Sequence, residues 1–338
     1  MCKTTTIYNR RYLGNKFKLL PFIISVVEEN CPNTGIVADL FAGTGAVASS
    51  FQNKQLVTND ILYCNYICNF AWFSSEKYDA DKIKNIISKF NQIDTTEDNY
   101  MSNTFADTFF SREDCQKIGA IREEIEQMTS RKSINDRERA ILISSLLYAM
   151  DKIAKTCGHY DAYRKGVEFD THLELAIPIV FTNNNINNKC YNEDINQLAT
   201  KIKADLVYLD PPYNSRQYCD AYHVLENVAK WKKPLVKGVA RKMDRDHLKS
   251  DYCTQKATNA FANLIKKIDA KYILLSYNNM EKKGNDRSNA KISDNDIKRI
   301  LSNKGELKIF EKDYKAFSAG LSDIKDNKER LFLCYVNK

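Results

Sequence analysis

No stretch of about 20 residues in this chain is both apolar and free of charge, the length a helix needs to cross a bilayer. Glycine and proline are scarce, at 11 and 6 of 338 residues, which excludes collagen-like and mucin-like classes. The four histidines (His159, His172, His223, His247) lie near no cysteine cluster, and the ten cysteines include no CxxC pair, Cys64 and Cys68 being the closest. Four well-spaced ligands are therefore missing, and the sequence predicts no metal and reduced, mostly buried thiols. The basic N-terminus is not followed by an apolar run and a small-residue cleavage site, so no signal peptide is expected; the predicted compartment is the cytoplasm, without a membrane partner. What is present is 43% hydrophobic residues, enough for one large or two modest domains, and 51 basic against 43 acidic residues. The resulting charge of +8 makes a polyanionic partner plausible without requiring one.

Apolar, β-branched runs ending in an acidic or turn residue occur at residues 36–41, 56–60, 206–210 and 272–277. Helical stretches at 15–30, 46–52, 221–231 and 259–268 alternate with them, which predicts an α/β fold with a mostly parallel sheet. Two strand-like runs at 307–314 and 330–336 predict an antiparallel C-terminal hairpin at the sheet edge. Between about Glu76 and Lys189 the alternation lapses into polar, helix-rich sequence, including the amphipathic run 136–155. This predicts a mainly helical subdomain at 76–189, inserted into a domain formed by 1–75 and 190–338. The Asn-rich tract 183–188 reads as the loop that returns the chain to the sheet.

Two motifs carry chemistry. In VADLFAGTGAVASSF (37–51) a strand runs into a Gly-rich turn and a helix; Gly43 and Gly45 permit a tight turn and close approach of a ligand at a helix N-terminus. An ordinary strand-to-helix turn is the alternative, while the spacing of dinucleotide and nucleoside-triphosphate motifs is absent. Asp60, closing the next strand, is placed to accept hydrogen bonds from ribose hydroxyls. In LVYLDPPYNSRQY (206–218) an apolar strand ends in Asp210-Pro211-Pro212-Tyr213. Two prolines fix two φ angles and remove two amide donors. Asp210 and the Pro211 carbonyl can then accept hydrogens from one amino group while the Tyr213 ring offers a face to a planar base.

Asp210 to Tyr213 downstream of the Gly-rich turn resembles the catalytic tetrapeptide of amino-methyltransferases, and RYLGNKFKLL (11–20) resembles the opening motif of the alpha class of N(6)-adenine DNA methyltransferases, the Dam-like group. The motif order agrees, with the inserted segment where that class carries its target-recognition domain. The resemblance implies a Rossmann-like methyltransferase fold, S-adenosyl-L-methionine as cofactor, double-stranded DNA as partner, and a type II restriction-modification setting with a cognate endonuclease acting on the same site without a stable complex. Residue by residue it implies that Tyr12 and Lys16 meet the methionine end of the cofactor. Asp39, Phe41, Gly43 and Gly45 form the Gly-rich motif, Asp60 meets the ribose and Asp194 the adenine amino group. Asp210, Pro211, Pro212 and Tyr213 are then catalytic, while Tyr222 and His223 follow in a segment without an implied role.

An aromatic amine is a poor nucleophile until its nitrogen is drawn towards tetrahedral geometry, which two acceptors achieve, so direct transfer needs no covalent intermediate. Cytosine-C5 chemistry would need a cysteine after a proline, and none of the ten occupies such a position. A base in a duplex must be flipped out to react. RNA or protein amino-methyl transfer, N(4)-cytosine transfer, and a non-enzymatic DNA-binding regulator remain alternatives. For DNA, the segment 155–165 mixes basic and aromatic residues, predicting base contacts by His159, Tyr160, Tyr163 and Arg164; the basic segment 237–249 predicts phosphate contacts by Arg241 and Lys242. A solvated basic face is the alternative for both.

Overall fold

The computed structural model describes residues 3–182, 187–278, 289–313 and 328–337. Seven strands form one sheet: β1 (Ile36–Asp39), β2 (Gln55–Asn59), β3 (Lys189–Tyr191), β4 (Lys203–Leu209), β5 (Asp269–Asn278), β6 (Gly305–Asp313) and β7 (Lys328–Val336), in the spatial order β6-β7-β5-β4-β1-β2-β3. Pairings among β1 to β5 are parallel, whereas β7 is antiparallel to both β5 and β6. The sheet is therefore mixed and mostly parallel, compatible with a methyltransferase fold, and its C-terminal strands are antiparallel as expected. Tyr314 and the sequence joining β6 to β7 lie outside the described residues, as do residues 183–186 of the Asn-rich tract.

Alternation along the central strands explains the layering. Leu206 and Tyr208 of β4 enter one hydrophobic cluster, Val207 and Leu209 the other, because successive strand side chains point to opposite faces. Helices α1 (Leu20–Asn30), α2 (Ala46–Ser49), α3 (Tyr63–Phe73), α4 (Ala80–Asn91), α5 (Tyr100–Phe105), α6 (Arg112–Ser130) and α7 (Asp136–Ile153) contribute to the first cluster. After α8 (Ile195–Leu198) the chain forms α9 (Tyr218–Ala221) and α10 (His223–Lys230), which join that first cluster too, while α8, α11 (Ala257–Lys267) and α12 (Asp294–Ser302) cover the other face.

The segment 76–189 is helical through α4 to α7, each helix opened by a capping side chain: Asp79, Asn99, Ser111 and Asn135. These helices have no separate core; α7 packs on α3 and α10, and all share the cluster under the sheet. Asp136–Ile153 is buried nearly all round, so the stripe that reads as amphipathic in sequence is a central helix. Among the described residues no helix is long and apolar enough to cross a membrane.

Candidate active site

The Gly-rich turn joins β1 to α2 in a conformation that needs its glycines. Gly43 has φ +51° and Gly45 φ +81°, and a Cβ on Gly43 would stand 2.9 Å from the Tyr12 ring. Asp60 holds this turn: its Oδ2 accepts the Gly43 amide at 2.9 Å and its Oδ1 the Leu62 amide at 2.8 Å. Burial pushes its carboxyl up to about 6 against the pull of those two amides. Two asparagines on α3 complete the support. Asn69 Nδ2 donates to the Gly43 carbonyl at 3.1 Å, and Asn65 Nδ2 donates to the Tyr12 hydroxyl at 3.0 Å. Asp39, 2% exposed at the end of β1, is pushed up to about 8 by burial and by Asp210, and its Oδ1 has no hydrogen-bond partner among the described residues.

The Asp-Pro-Pro-Tyr turn leaves β4 at the same sheet edge, where ligands of open parallel sheets bind. Lys16 Nζ lies 2.9 Å from Asp210 Oδ1 and 3.4 Å from Glu329 Oε1. Burial raises the Asp210 carboxyl to about 6 although Lys16 opposes it. The two carboxylates hold Lys16 well above its ordinary range despite its burial. Behind the turn, the Tyr213 ring packs edge-on to Tyr277 at 6.3 Å and its carbonyl accepts the Lys291 amide at 2.8 Å. Arg10 is buried beside the Tyr12 and Tyr222 rings, 5.6 and 5.7 Å from their centres, with Nε 3.3 Å from Asp151 Oδ2 and an η-nitrogen donating to Asn65 at 2.9 Å.

A cleft of about 730 Å³ brings together Tyr12, Phe41, Asp60, Asp194, Asp210 and Pro212. A smaller cavity of about 30 Å³ continues beneath it, walled by Lys16, Asp39, Gly43 and again Asp210. Gly45, Pro211 and Tyr213 lie beside these cavities rather than in their walls. Phe41 meets Tyr252 edge-on at 5.1 Å, and exposed Asp194 caps α8 by accepting the Gln197 amide at 3.1 Å. Sequence reading missed Arg10, Asn65, Asn69, Tyr218 and Glu329, and left Tyr222 without a role. The asparagine pair was detectable, since Asn65 and Asn69 stand at i and i+4 in an otherwise apolar helix; Glu329 gives no such signal.

The residues expected to contact DNA divide. Tyr160 is 1% exposed and its hydroxyl donates to Asp151 at 2.9 Å, so it is a packing residue in the Arg10 network and not a surface group. His159 and Tyr163 are half-buried, Tyr163 lying edge-on to Phe109, while Arg164 is exposed. Arg241 is exposed at the turn of a short ladder between Val236–Lys237 and Lys242–Met243. Lys242 pairs with Asp161 at 2.8 Å and Asp220 at 3.5 Å, tying the two basic segments together. His223, buried on α10, bonds through Nε2 to the Tyr160 carbonyl at 2.9 Å, and burial lowers its pKa to about 4.

A model of the D12 class N6 adenine-specific DNA methyltransferase family matches residues 12–287. The chain is similar to the modification methylase StsI of Streptococcus sanguinis, 37% identical over 286 residues, which are 80% of this chain and 44% of that protein. The type II methyltransferase M.NlaIII of Neisseria lactamica is 29% identical over 338 residues, 96% of this chain and 98% of its own length. M.FokI of Planomicrobium okeanokoites is 32% identical over 285 residues, 79% of this chain and 44% of that protein. The match thus spans less than half of the StsI and FokI methylases and nearly all of the NlaIII methyltransferase.

Proposed function

Because the chain belongs to the D12 class of N6 adenine-specific DNA methyltransferases, we propose that it transfers a methyl group from S-adenosyl-L-methionine to the exocyclic amino group of adenine at a specific site in duplex DNA. The observation that carries this reading is one cleft lined together by the Asp210, Asp60 and Asp194 carboxylates. When bound, the cofactor supplies an electrophilic methyl group on a sulfonium. The residues present fit such a cation. Asp39 keeps a buried oxygen without a hydrogen-bond partner among the described residues, and Asp210 and Glu329 share one ammonium, that of Lys16. Gly43 leaves room against Tyr12 for a close backbone approach, and Phe41 with Asp194 suits a purine ring and its amino group.

Asp210 and the Pro211 carbonyl accept the two hydrogens of the target amine, directing nitrogen lone-pair density outward. Tyr213 stacks on the extruded base, and the prolines keep the turn from relaxing. Residues 1–75 and 190–338 form the catalytic unit, and 76–189 carries target recognition, with His159, Tyr163 and Arg164 near bases and Arg241 and Lys242 on phosphates. Relatives that are type II methyltransferases support a type II setting; in it an endonuclease of the same specificity acts on the same site without a stable complex, in the same cytoplasm. Mapping methylated bases in the genome of a bacterial host expressing the chain tests the reading. N6-methyladenine at a single sequence is expected; N4-methylcytosine, methylated RNA alone, or no gain over the empty vector overturns it.

A further inference from the structure

Glu329 stands at the start of β7. That strand runs antiparallel to β5, so its first residues arrive at the edge where the parallel strands end and Asp210 leaves β4. Glu329 is 7% exposed. Its Oε1 accepts the Ser276 hydroxyl of β5 at 3.0 Å and lies 3.4 Å from Lys16 Nζ, which is itself 2.9 Å from Asp210 Oδ1. One ammonium therefore stands between two carboxylates, Glu329 buried and Asp210 half-buried. The neighbouring Arg330 does not relieve this excess, because it is committed to Asp294 at 2.5 Å and to the Asn278 carbonyl at 2.7 Å.

Resting on the methyl-transfer reading, we propose that Glu329 is a positioning residue for that reaction: it divides the charge of Lys16 between two carboxylates, so that Asp210 stays ionised yet incompletely compensated and accepts a hydrogen of the target amine strongly. A lysine facing Asp210 alone in a low-dielectric site would form a closed pair, and the Asp210 oxygens would be weaker acceptors. With the cation shared, burial and Glu329 hold the Asp210 carboxyl up to about 6 in spite of Lys16. The other titratable groups facing this cluster are Asp39, Tyr208, Tyr213 and Tyr218, with Arg216 farther out beside Tyr213. Among the described residues none of them is a second carboxylate paired with Lys16, as Glu329 is.

Glu329→Gln keeps the shape and the acceptor for Ser276 while removing the charge; Glu329→Asp keeps the charge. In ligand-free protein carrying 13C at aspartate carboxyls, the Asp210 resonance is identified by its loss in Asp210→Asn and followed against pH. Glu329→Gln is expected to lower its midpoint by about one pH unit, the scale of one neighbouring charge, and Glu329→Asp to keep the wild-type midpoint. In methyl transfer to genomic DNA, Glu329→Gln is expected to lose about tenfold in kcat, the equivalent of one pH unit, with the cofactor KM and the thermal midpoint unchanged. An unmoved Asp210 midpoint in Glu329→Gln, whatever happens to kcat, reduces Glu329 to a structural role and overturns the proposal. A wild-type protein that methylates no DNA overturns the functional reading instead, and the titration still decides whether Glu329 tunes Asp210.

Discussion

Tyr222 stacks on Tyr12 with ring centroids 4.7 Å apart and planes 10° from parallel, and the Tyr222 hydroxyl accepts the Leu13 amide at 2.7 Å. The segment expected to hold one end of the cofactor is thus shaped by a residue from just after the Asp-Pro-Pro-Tyr turn. Tyr218 adds a second tie, donating to the Leu13 carbonyl at 3.2 Å. Tyr222→Phe keeps the ring and leaves the half-buried Leu13 amide without this acceptor, so it is expected to cost about 1 kcal/mol of stability. Calorimetry should also find weaker cofactor binding, because Tyr12 loses its fixed backbone. Wild-type affinity in this variant would dismiss the tie as irrelevant to the cofactor.

Asp210→Ala is expected to abolish methyl transfer while leaving cofactor binding largely intact, since it removes an acceptor for the amine. Lys16 retains Glu329 as a partner in that variant, which limits structural damage. Single-turnover assays alongside calorimetry check both halves, and near wild-type turnover would sink the mechanism.

Asp39→Asn separates stability from binding. The Asp39 carboxyl is held up to about 8 in the folded chain, above its ordinary value near 4 when unfolded. Between those values the folded state binds the extra proton, so this group makes stability fall as pH rises from about 4 to 8. The asparagine variant lacks this penalty. Its ligand-free thermal midpoint should exceed that of the wild type at pH 8 and approach it at pH 5, and its affinity for the cationic cofactor should fall at pH 8, where the wild-type carboxyl is half ionised. Equal midpoints at pH 8 would contradict the buried charge.

Asp60→Ala is expected to weaken cofactor affinity by about 1 to 3 kcal/mol, the scale of a lost charged hydrogen bond. Because Asp60 also receives the Gly43 and Leu62 amides, the same variant should melt earlier. Asp60→Asn, which keeps one acceptor oxygen, should lie between. An unchanged dissociation constant in Asp60→Ala would remove the carboxylate from the binding site.

For DNA, Arg241→Ala should weaken cognate and scrambled duplexes alike and reduce the salt slope by about one, as expected for one lost phosphate contact. Arg164→Ala should lose about 1 to 3 kcal/mol on the cognate duplex alone. Lys242→Ala should perturb both behaviours, since its ion pairs with Asp161 and Asp220 join the two segments. Binding titrations at two salt concentrations distinguish these patterns; identical, sequence-independent losses for Arg164→Ala and Arg241→Ala would refute base recognition by the first segment.

Much of the frame was legible because local rules carry it. Continuous apolar runs marked β1, β2, β4 and β5, and the positive φ angles of Gly43 and Gly45 are what a tight strand-to-helix turn demands. The inserted segment was legible only as helical. Its periodicity could not reveal that α7 is buried nearly all round, because a stripe reports one apolar face and not what the other face meets. Tyr160 misled for the same reason: a tyrosine among basic residues looks solvent-facing until Asp151 and His223 are seen to enclose it.

The sequence by itself determined the strand-helix alternation, the glycine turn and the Asp-Pro-Pro-Tyr corner, since each is written in consecutive residues whose backbone preferences act over a few bonds. Only the tertiary structure decided which groups stand behind them. Lys16, Asp210 and Glu329 come from the N-terminal segment, the end of β4 and the start of β7, and they meet because an antiparallel last strand returns to the edge where the parallel strands end. Spacing along the chain carries no record of such a meeting, and a buried charge declares its partner only once burial has removed the water that would otherwise serve.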